Sequence, residues 1–305
     1  MDTIAHGLAG ALVGYCGFRQ QAGRVALWTS IAAAELPDAD IALRLAGDET
    51  YLQWHRGPTH SVLLLPFWAL IIAWVFWEIG GRRNFRLLWA ASAAGLASHL
   101  VLDWITSYGT LLWWPVSDAR LALSLVFILD PYVWAILGVG LWAAIRTQRP
   151  RVADAALAAL GLYLLFCGVV RYHATRVASY RTPAAARVGV YPVPLDPWQR
   201  TVVWQESEVI HWRIGDREET FTQFRDDTLR PQAEATRAVK LFRWFATFPL
   251  VEKLDQDGQT VLRYRDLRFR TPLPWGEVRE GTVVVAQVVF DEEGRLLAAF
   301  LTSED

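Results

Sequence analysis

Residues 55–79 read HRGPTHSVLLLPFWALIIAWVFWEI, a turn with two histidines that is followed directly by an apolar segment. The apolar part, Ser61–Ile79, has 19 residues and one charged side chain, Glu78. A helix needs about 20 apolar residues to cross the hydrocarbon core of a bilayer. We therefore expect Ser61–Ile79 to span a membrane, with the two histidines of the turn at one end of the span.

Five further apolar runs lie in the same half of the chain. They cover residues 3–18, 25–36, 87–105, 121–145 and 155–170. The first two are short and fit a tilted or half-inserted segment, whereas the others approach the length of a span. A soluble protein with buried helices would not need runs of this length. The sequence predicts a mostly α, multi-pass membrane helical bundle of about six hydrophobic helices.

Charge divides the 305-residue chain into two parts at Arg171. Residues 1–171 contain 12 arginines, no lysine and 11 acidic residues, whereas residues 172–305 contain 18 basic and 20 acidic residues. We predict a membrane-embedded domain over 1–171 and a soluble α+β domain over 172–305. The net charge of −1 argues against nucleic-acid binding, which needs a basic surface. Two cysteines are too few for a disulfide framework or a cysteine-based zinc site.

The arginines between the apolar runs predict the orientation of the chain. The connections 19–24, 80–86 and 146–151 hold eight arginines, and the connections 37–60 and 106–120 hold three. By the positive-inside rule the arginine-rich set faces the cytoplasm. Both termini, the arginine-poor connections and the C-terminal domain are then expected on the extracytoplasmic side of the inner membrane. A cleavable signal pattern is not seen, because Asp2 replaces the basic residues of a signal peptide.

The C-terminal part has the patterns of a small α+β domain. Strands are predicted at Val209–Ile214, Val261–Phe269 and Thr282–Phe290. Apolar residues at helical spacing predict one helix over Gln232–Phe245. His211 lies within a strand pattern, and we expect it to be structural.

The titratable residues of the membrane half gather at the ends of apolar runs on the arginine-poor side. The pairs Asp2–His6 and His99–Asp103 have i, i+4 spacing, which puts both side chains of a pair on one helix face. The other candidates are Glu35, Asp38, Asp40, His55, Arg56, His60 and Asp130. The charge bias and the ligand-type residues thus point to the same face of the membrane, where we predict one site.

Imidazole and carboxylate groups are ligands of zinc, manganese and iron. We predict a divalent metal at this site, zinc first with manganese or iron as alternatives, and enough ligands for two ions. The candidate ligands are His6, Asp38, Asp40, His55, His60, His99, Asp103 and Asp130; of Asp38 and Asp40, one ligand is favoured over two. Alternatively, each pair caps a helix or joins two helices. Ionisable groups at membrane depth are costly and tend to be functional, which favours the metal.

Glu35 and Arg56 are the candidate catalytic residues. Glu35 is either a general base or a charge at a helix end, and its position favours the second interpretation. Arg56 either binds a substrate phosphate or pairs with Asp38, and the sequence does not choose between them. Asp2 is interpreted as a helix N-cap rather than a ligand, and Thr59 as a hydrogen-bonding partner of a ligand.

Five stretches together resemble the predicted membrane-bound metal-dependent hydrolases, also called the YdjM-like, LexA-binding inner-membrane-associated hydrolases. The stretches are MDTIAHGLAG at 1–10, PDAD at 37–40, HRGPTHS at 55–61, SHLVLDWITSYGT at 98–110 and ILDP at 128–131. They occur in order through the membrane half, and the joint pattern is more specific than any single piece. One departure is Ala5, where the N-terminal motif more usually has threonine before the histidine.

The resemblance implies a hydrolase whose motifs are related to those of zinc-dependent phospholipases C and nucleases. It carries over as ligands His6, Asp38, His55, His60, His99 and Asp103, and with less support Asp130. The implied reaction is attack of a metal-activated water on a phosphoester, and a lipid-linked substrate suits a site at the membrane surface. Two other classes stay open. One is a metal-stabilised membrane scaffold or regulatory protein, and the other is a transporter, which would place its polar residues nearer mid-span.

Overall fold

The computed structural model describes residues 1–82, 84–184, 186–256, 258–273, 276–280 and 283–302. The chain forms two compact units. The first, the helical unit, comprises Met1–Ala42 and Trp54–Gly168, and the second, the β unit, comprises Leu43–Gln53 and Val169–Asp305. Residues 43–53 therefore belong to the β unit, although both chain segments that flank them belong to the helical unit.

Within the described part of the chain, seven α-helices precede the first strand. They are α1 (Thr3–Val13), α2 (Arg19–Glu35), α3 (Asp48–Trp54), α4 (Leu65–Ile79), α5 (Phe85–Trp104), α6 (Pro131–Thr147) and α7 (Pro150–Arg181). A π-helical segment, Gly14–Phe18, joins α1 to α2, and two 3₁₀ segments, Leu36–Ala46 and Pro58–His60, flank α3. Gly17 has a φ of 109°, which glycine adopts without a steric penalty, and it turns the chain between α1 and α2.

Glycines bring α2 into close contact with its neighbours in the helical unit. A Cβ atom on Gly95 of α5 would lie 2.4 Å from the Ser30 carbonyl oxygen of α2. A Cβ atom on Gly10 of α1 would lie 2.6 Å from the Ala34 side chain. Small residues at such positions let helix backbones approach closely, as they do in membrane bundles. The last turn of α2 is therefore held close to both α1 and α5.

By length and composition, two helices within the described residues can cross a membrane, α5 and α7. The helix α4 qualifies only together with the segment Asp48–His60, from which it is bent by 77°. It begins at Leu65 and has 15 residues, fewer than the predicted run 61–79. Pro66 lies in its first turn, and the Ser61 hydroxyl donates a hydrogen bond to the Trp114 carbonyl (2.6 Å), which holds the chain before Leu65 outside the helix.

Separate clusters of buried apolar side chains contribute to the core of the helical unit, and two of them show how its helices pack. One is built from α1, α6 and α7 and includes Leu12, Leu137 and Cys167. The other joins α2, α4 and α5 through small side chains such as Ala26 and Ala91. The helical N-terminal half that the sequence predicts is confirmed, with two candidate spans.

The β unit contains two antiparallel four-stranded sheets and a two-stranded ribbon. The first sheet has the order β1 (Arg187–Val193), β2 (Asp196–Glu206), β3 (Val209–Ile214), β4 (Arg217–Thr222). Two helices follow, α8 (Leu229–Ala235) and α9 (Arg237–Phe245). The remaining strands are β5 (Pro249–Gln256), β6 (Gln259–Asp266), β7 (Arg270–Pro272), β8 (Val278–Glu280), β9 (Val285–Phe290) and β10 (Leu296–Thr302). The second sheet has the order β10–β9–β6–β5, and β7 pairs with β8.

The predicted elements of the C-terminal part are found with adjusted bounds. The strand Val209–Ile214 is β3 as predicted, and residues 261–269 include most of β6, which ends at Asp266. The Asp266 carboxylate there accepts hydrogen bonds from the Thr247, Phe248 and Arg268 backbone amides. The predicted strand over 282–290 corresponds to β9, and residue 282 lies outside the described residues.

The helical spacing predicted over residues 232–245 is found, but it is divided between two helices. The chain breaks between α8 and α9 at Thr236, whose φ of −69° and ψ of 153° are extended. Its side chain accepts a hydrogen bond from the Val239 backbone amide and caps α9. His211 lies in β3 with its ring stacked on Trp204 at a centroid distance of 4.6 Å, and its structural role stays a prediction.

Candidate metal centre

Four separate segments of the helical unit converge on one buried cluster. His6 comes from α1, Asp38 from the 3₁₀ segment after α2, His60 from the 3₁₀ turn before α4, and His99 with Asp103 from α5. The side chains of the three histidines and of Asp103 are fully buried, and that of Asp38 keeps a quarter of its surface exposed. The i, i+4 spacing on α5 places its two members on the same face, as the sequence predicts.

Four ligand atoms face one another at the centre of the cluster. One atom each from Asp38, His60, His99 and Asp103 lies within 4.8 Å of the other three. The Nε2 atoms of His60 and His99 are 3.0 Å apart. The His60 Nε2 lies 3.2 Å from Asp103 Oδ2 and 3.6 Å from Asp38 Oδ1. The His99 Nε2 lies 3.6 Å from Asp38 Oδ1 and 3.7 Å from Asp103 Oδ2.

These separations match the edges of a metal coordination shell. In a tetrahedral site with metal–ligand distances of about 2.0–2.1 Å, neighbouring ligand atoms are about 3.3–3.4 Å apart. The five distances given above run from 3.0 to 3.7 Å. Five of the six edges of the group are therefore close to the length that a single divalent ion requires, and the sixth, between Asp38 and Asp103, is no longer than 4.8 Å.

The outer nitrogens of both histidines determine which tautomers face the centre. His99 Nδ1 lies 2.7 Å from the Ala34 carbonyl oxygen, which can only accept, so this nitrogen carries the proton. His60 Nδ1 lies 2.9 Å from the Thr59 hydroxyl, which donates to Asp40 Oδ2 at 3.2 Å, so this nitrogen also donates. In the neutral rings both Nε2 atoms then present lone pairs to each other. A cation between them removes the repulsion, and such outer contacts are typical of metal-binding histidines.

Asp40 and His55 form a layer of contacts behind the cluster. Asp40 Oδ1 lies 2.7 Å from His55 Nδ1, and Asp40 Oδ2 accepts the Arg56 backbone amide at 3.0 Å. The same Oδ2 accepts the Thr59 hydroxyl, so both oxygens have protein partners. Asp38 and Asp40 therefore differ in position: Asp38 reaches the centre, whereas Asp40 supports His60 and His55 from outside it.

Arg56 is buried against the cluster with a left-handed backbone, at a φ of 59°. The backbone hydrogen bond to Asp40 holds this uncommon conformation for a non-glycine residue. The guanidinium lies 2.9 Å from Asp103 Oδ1, donates to the Thr106 hydroxyl at 3.3 Å, and lies over the Tyr108 ring. The sequence left two roles open for Arg56, a substrate phosphate or a pairing with Asp38; the ion pair in the structure is with Asp103. Thr106 and Tyr108 were not singled out from the sequence, although both lie within the motif stretch 98–110.

His6 stacks on His99 with ring centroids 3.8 Å apart. Its Nε2 lies 3.3 Å from Asp103 Oδ1 and 3.8 Å from Asp38 Oδ2. Among the described residues neither ring nitrogen has a hydrogen-bond partner of good geometry, which is costly for a buried imidazole. The Met1 amino group also contacts Asp103 Oδ1. The Arg56 guanidinium contacts the same Asp103 oxygen, so His6 lies beside an ion-paired carboxylate at the edge of the group of four ligand atoms.

Glu35 and Asp38 lie at the end of α2 and differ in their acidity. Burial raises the pKa of Glu35 to about 7, and the neighbouring Asp38 and Asp2 carboxylates add to this effect. Burial also disfavours the charged form of Asp38, but the neighbouring His60 and His99 rings, in their protonated forms, outweigh it and lower its pKa to about 2. Asp38 is therefore ready to bind a cation, whereas Glu35 can exchange a proton near neutral pH.

Two carboxylates of the sequence-predicted set cap helices. Asp130 is the N-cap of α6 and accepts the Tyr132 and Val133 backbone amides as well as the Tyr163 hydroxyl. It lies outside the group of four ligand atoms, and its role as a ligand stays a prediction. Asp2 is the N-cap of α1, as predicted, and accepts the Trp134 indole N–H.

A helical unit with candidate membrane spans and a buried carboxylate–imidazole cluster defines a membrane protein with a possible divalent-metal site. The chain matches the YdjM inner membrane protein family over residues 1–174, and it belongs to that family. It is also similar to the uncharacterized protein YfhP of Bacillus subtilis (strain 168), with 25% identity over 174 residues. The match covers 54% of this chain and 53% of the relative, so it extends over about half the length of either protein. No solved structure matches the chain.

Proposed function

We propose that the protein is a membrane-bound hydrolase that uses a divalent metal to cleave phosphoesters. The observation that supports this most is the buried group of four ligand atoms with lone pairs facing one centre, beside an arginine and a carboxyl group of raised pKa. Asp38, His60, His99 and Asp103 would hold the ion. A bound divalent metal, with zinc as the first choice, polarises a phosphoryl oxygen and supplies a nucleophile from water near neutral pH.

The remaining residues have distinct roles in this proposal. Glu35 takes up the proton that the attacking water releases, because its pKa near 7 suits a general base. Arg56 holds Asp103 in place and adds positive charge for an anionic substrate. Asp40 fixes the His60 and His55 rings through the contacts described above. His6 extends the cluster toward a second ion, which a two-metal phosphoesterase would use to clamp both oxygens of the displacement.

The centre faces the extracytoplasmic side in this proposal. The support is the bias of eight arginines to three between the two sets of connections, since the ligand-bearing segments belong to the arginine-poor set. A reporter fused within the 80–86 connection should report a cytoplasmic position; residue 83 of this connection lies outside the described residues. A reporter fused after residue 305 should report an extracytoplasmic position. A cytoplasmic signal from the C-terminal fusion would contradict this orientation.

One feature favours a second candidate, a scaffold in which the metal is only structural. Four protein ligands complete a tetrahedral zinc shell, as in structural sites, whereas catalytic sites keep a position open. Against this, Asp38 is partly exposed, so one ligand can be displaced or shared.

Glu35→Gln separates the two candidates. In metal-loaded protein this variant should keep its metal and lose about a hundredfold or more of its turnover on chromogenic phosphomonoesters and phosphodiesters, the usual effect of removing a general base. Glu78→Gln is the matched control, because Glu78 is on α4 and pairs with Arg82. Full metal content without turnover in the wild-type protein would replace the hydrolase with the scaffold.

A further inference from the structure

An apolar cleft lies beside the metal centre in the helical unit. Its volume is about 300 Å³, at the lower end of the range for small-molecule pockets. Leu36, Pro37, Trp68 and Leu96 form its apolar walls. The Trp68 indole donates a hydrogen bond to the Pro58 carbonyl at 3.0 Å, which fixes the largest wall residue in place. The position of the Trp68 wall of the cleft is therefore fixed by a hydrogen bond.

The cleft is continuous with the residues that support the metal centre. Its polar lining, within the described part of the chain, consists of Asp40 and Thr59. Both are engaged in the hydrogen bonds that orient His60, so they offer little to a polar ligand. Pro37 directly precedes the ligand Asp38. Pro37 and Ala39 flank Asp38 in the chain and Thr59 precedes His60, so the cleft adjoins the segments that carry two of the four ligand atoms.

The surface around the cleft is apolar as well. Leu36 at its edge and Leu63 and Phe67 near the start of α4 are exposed. Phe67 lies on α4, which by length and composition can cross a membrane as part of a bent pair of helices, and Leu63 lies just before it. Exposed apolar side chains next to an apolar cleft mark a route for a hydrocarbon ligand.

We infer that this cleft binds a hydrocarbon chain of a lipid phosphoester whose phosphate lies at the metal centre. The inference rests on the proposed phosphoesterase function and names its substrate class. Charge and polarity are complementary along the ligand: the phosphate meets Arg56 and the metal-binding residues, and the chain meets apolar walls. A nucleotide or a sugar would leave its polar groups without partners in such a cleft.

Photo-crosslinking tests binding independently of turnover. The full-length, metal-loaded protein in detergent is mixed with phosphatidic acid that carries a diazirine on one acyl chain, and it is irradiated on ice. Labelled peptides are mapped by mass spectrometry. Diacylglycerol with the same diazirine chain tests the need for the phosphate. Ala39→Trp introduces a large side chain at an exposed position that lines the cleft, and Ala42→Trp is the control on the same 3₁₀ segment.

The expected result is labelling of peptides that contain Leu36, Trp68 or Leu96. We expect about tenfold less labelling in Ala39→Trp, because the indole displaces roughly two buried methylenes, and no change in Ala42→Trp. Labelling elsewhere only, or equal labelling by diacylglycerol, would overturn the inference. Labelling at the cleft without turnover would uphold this binding site while refuting the hydrolase, so the two failures are distinguishable.

Discussion

Replacing His99 by alanine should remove the metal while leaving the fold of the helical unit in place. His99 supplies one of four ligand atoms, and its Nε2 lies within 3.7 Å of the other three ligands. The alanine variant keeps the ligand atoms of Asp38, His60 and Asp103 and lacks the fourth. Losing a side chain that only supports a ligand typically lowers metal affinity by up to about a hundredfold. We therefore expect the loss of a ligand itself to lower it by more than about a hundredfold.

A graded series makes the reasoning quantitative. Thr59→Val keeps the shape of the side chain and removes the hydroxyl between His60 and Asp40. Loss of such an outer contact typically weakens metal binding by about 10- to 100-fold, or about 1.4–2.7 kcal/mol. Ser98→Ala is the control, since the Ser98 hydroxyl bonds only the Gly95 carbonyl of its own helix. The expected order of affinity is wild type equal to Ser98→Ala, then Thr59→Val, then His99→Ala.

Elemental analysis after growth in zinc and manganese gives the metal content, and competition with a chelator gives the affinity. Circular dichroism and size-exclusion chromatography of each variant show whether it has folded. Equal metal content in the wild type and His99→Ala would refute the assignment of the ligand atoms. A loss in Ser98→Ala as large as that in His99→Ala would show that the effect comes from disturbing α5 rather than from removing a ligand.

Three further predictions concern the pH dependence of turnover and the stability of the β unit. Turnover of the wild type should rise with pH through about 7, because the base form of Glu35 exists only above its pKa. The pH profile of turnover for Glu35→Gln should be flat over the same range. Trp212→Ala should lower the free energy of unfolding of the β unit by about 3–5 kcal/mol, measured in denaturant titrations, since Trp212 is fully buried there; a change below about 1 kcal/mol would contradict its place in the core. Arg237→Ala, which removes exposed contacts to Glu49 and Gln53, should change that free energy by less than about 1 kcal/mol, and a larger loss would mean that residues 43–53 depend on it.

Features that depend on near neighbours along the chain could be predicted before the fold was known. The spacing of His99 and Asp103 places both on one face of α5 whatever surrounds the helix. The strand β3 was predicted with its observed bounds, because alternation over six residues is a local pattern. The membrane half was recognised from apolar runs, and its five motif stretches identified the family that the comparison confirmed.

The packing of separate helices determines which candidate ligands come together and which residues support those ligands. The PDAD stretch contains two similar carboxylates. In the 3₁₀ segment Asp38 lies at the centre of the cluster, whereas Asp40 contacts His55 and Thr59. The His99 tautomer depends on the Ala34 carbonyl, 65 residues away in the chain, which α2 brings within reach because Gly95 lets the two backbones approach. Local periodicity cannot encode such distances, since they are set by how closely separate helices pack.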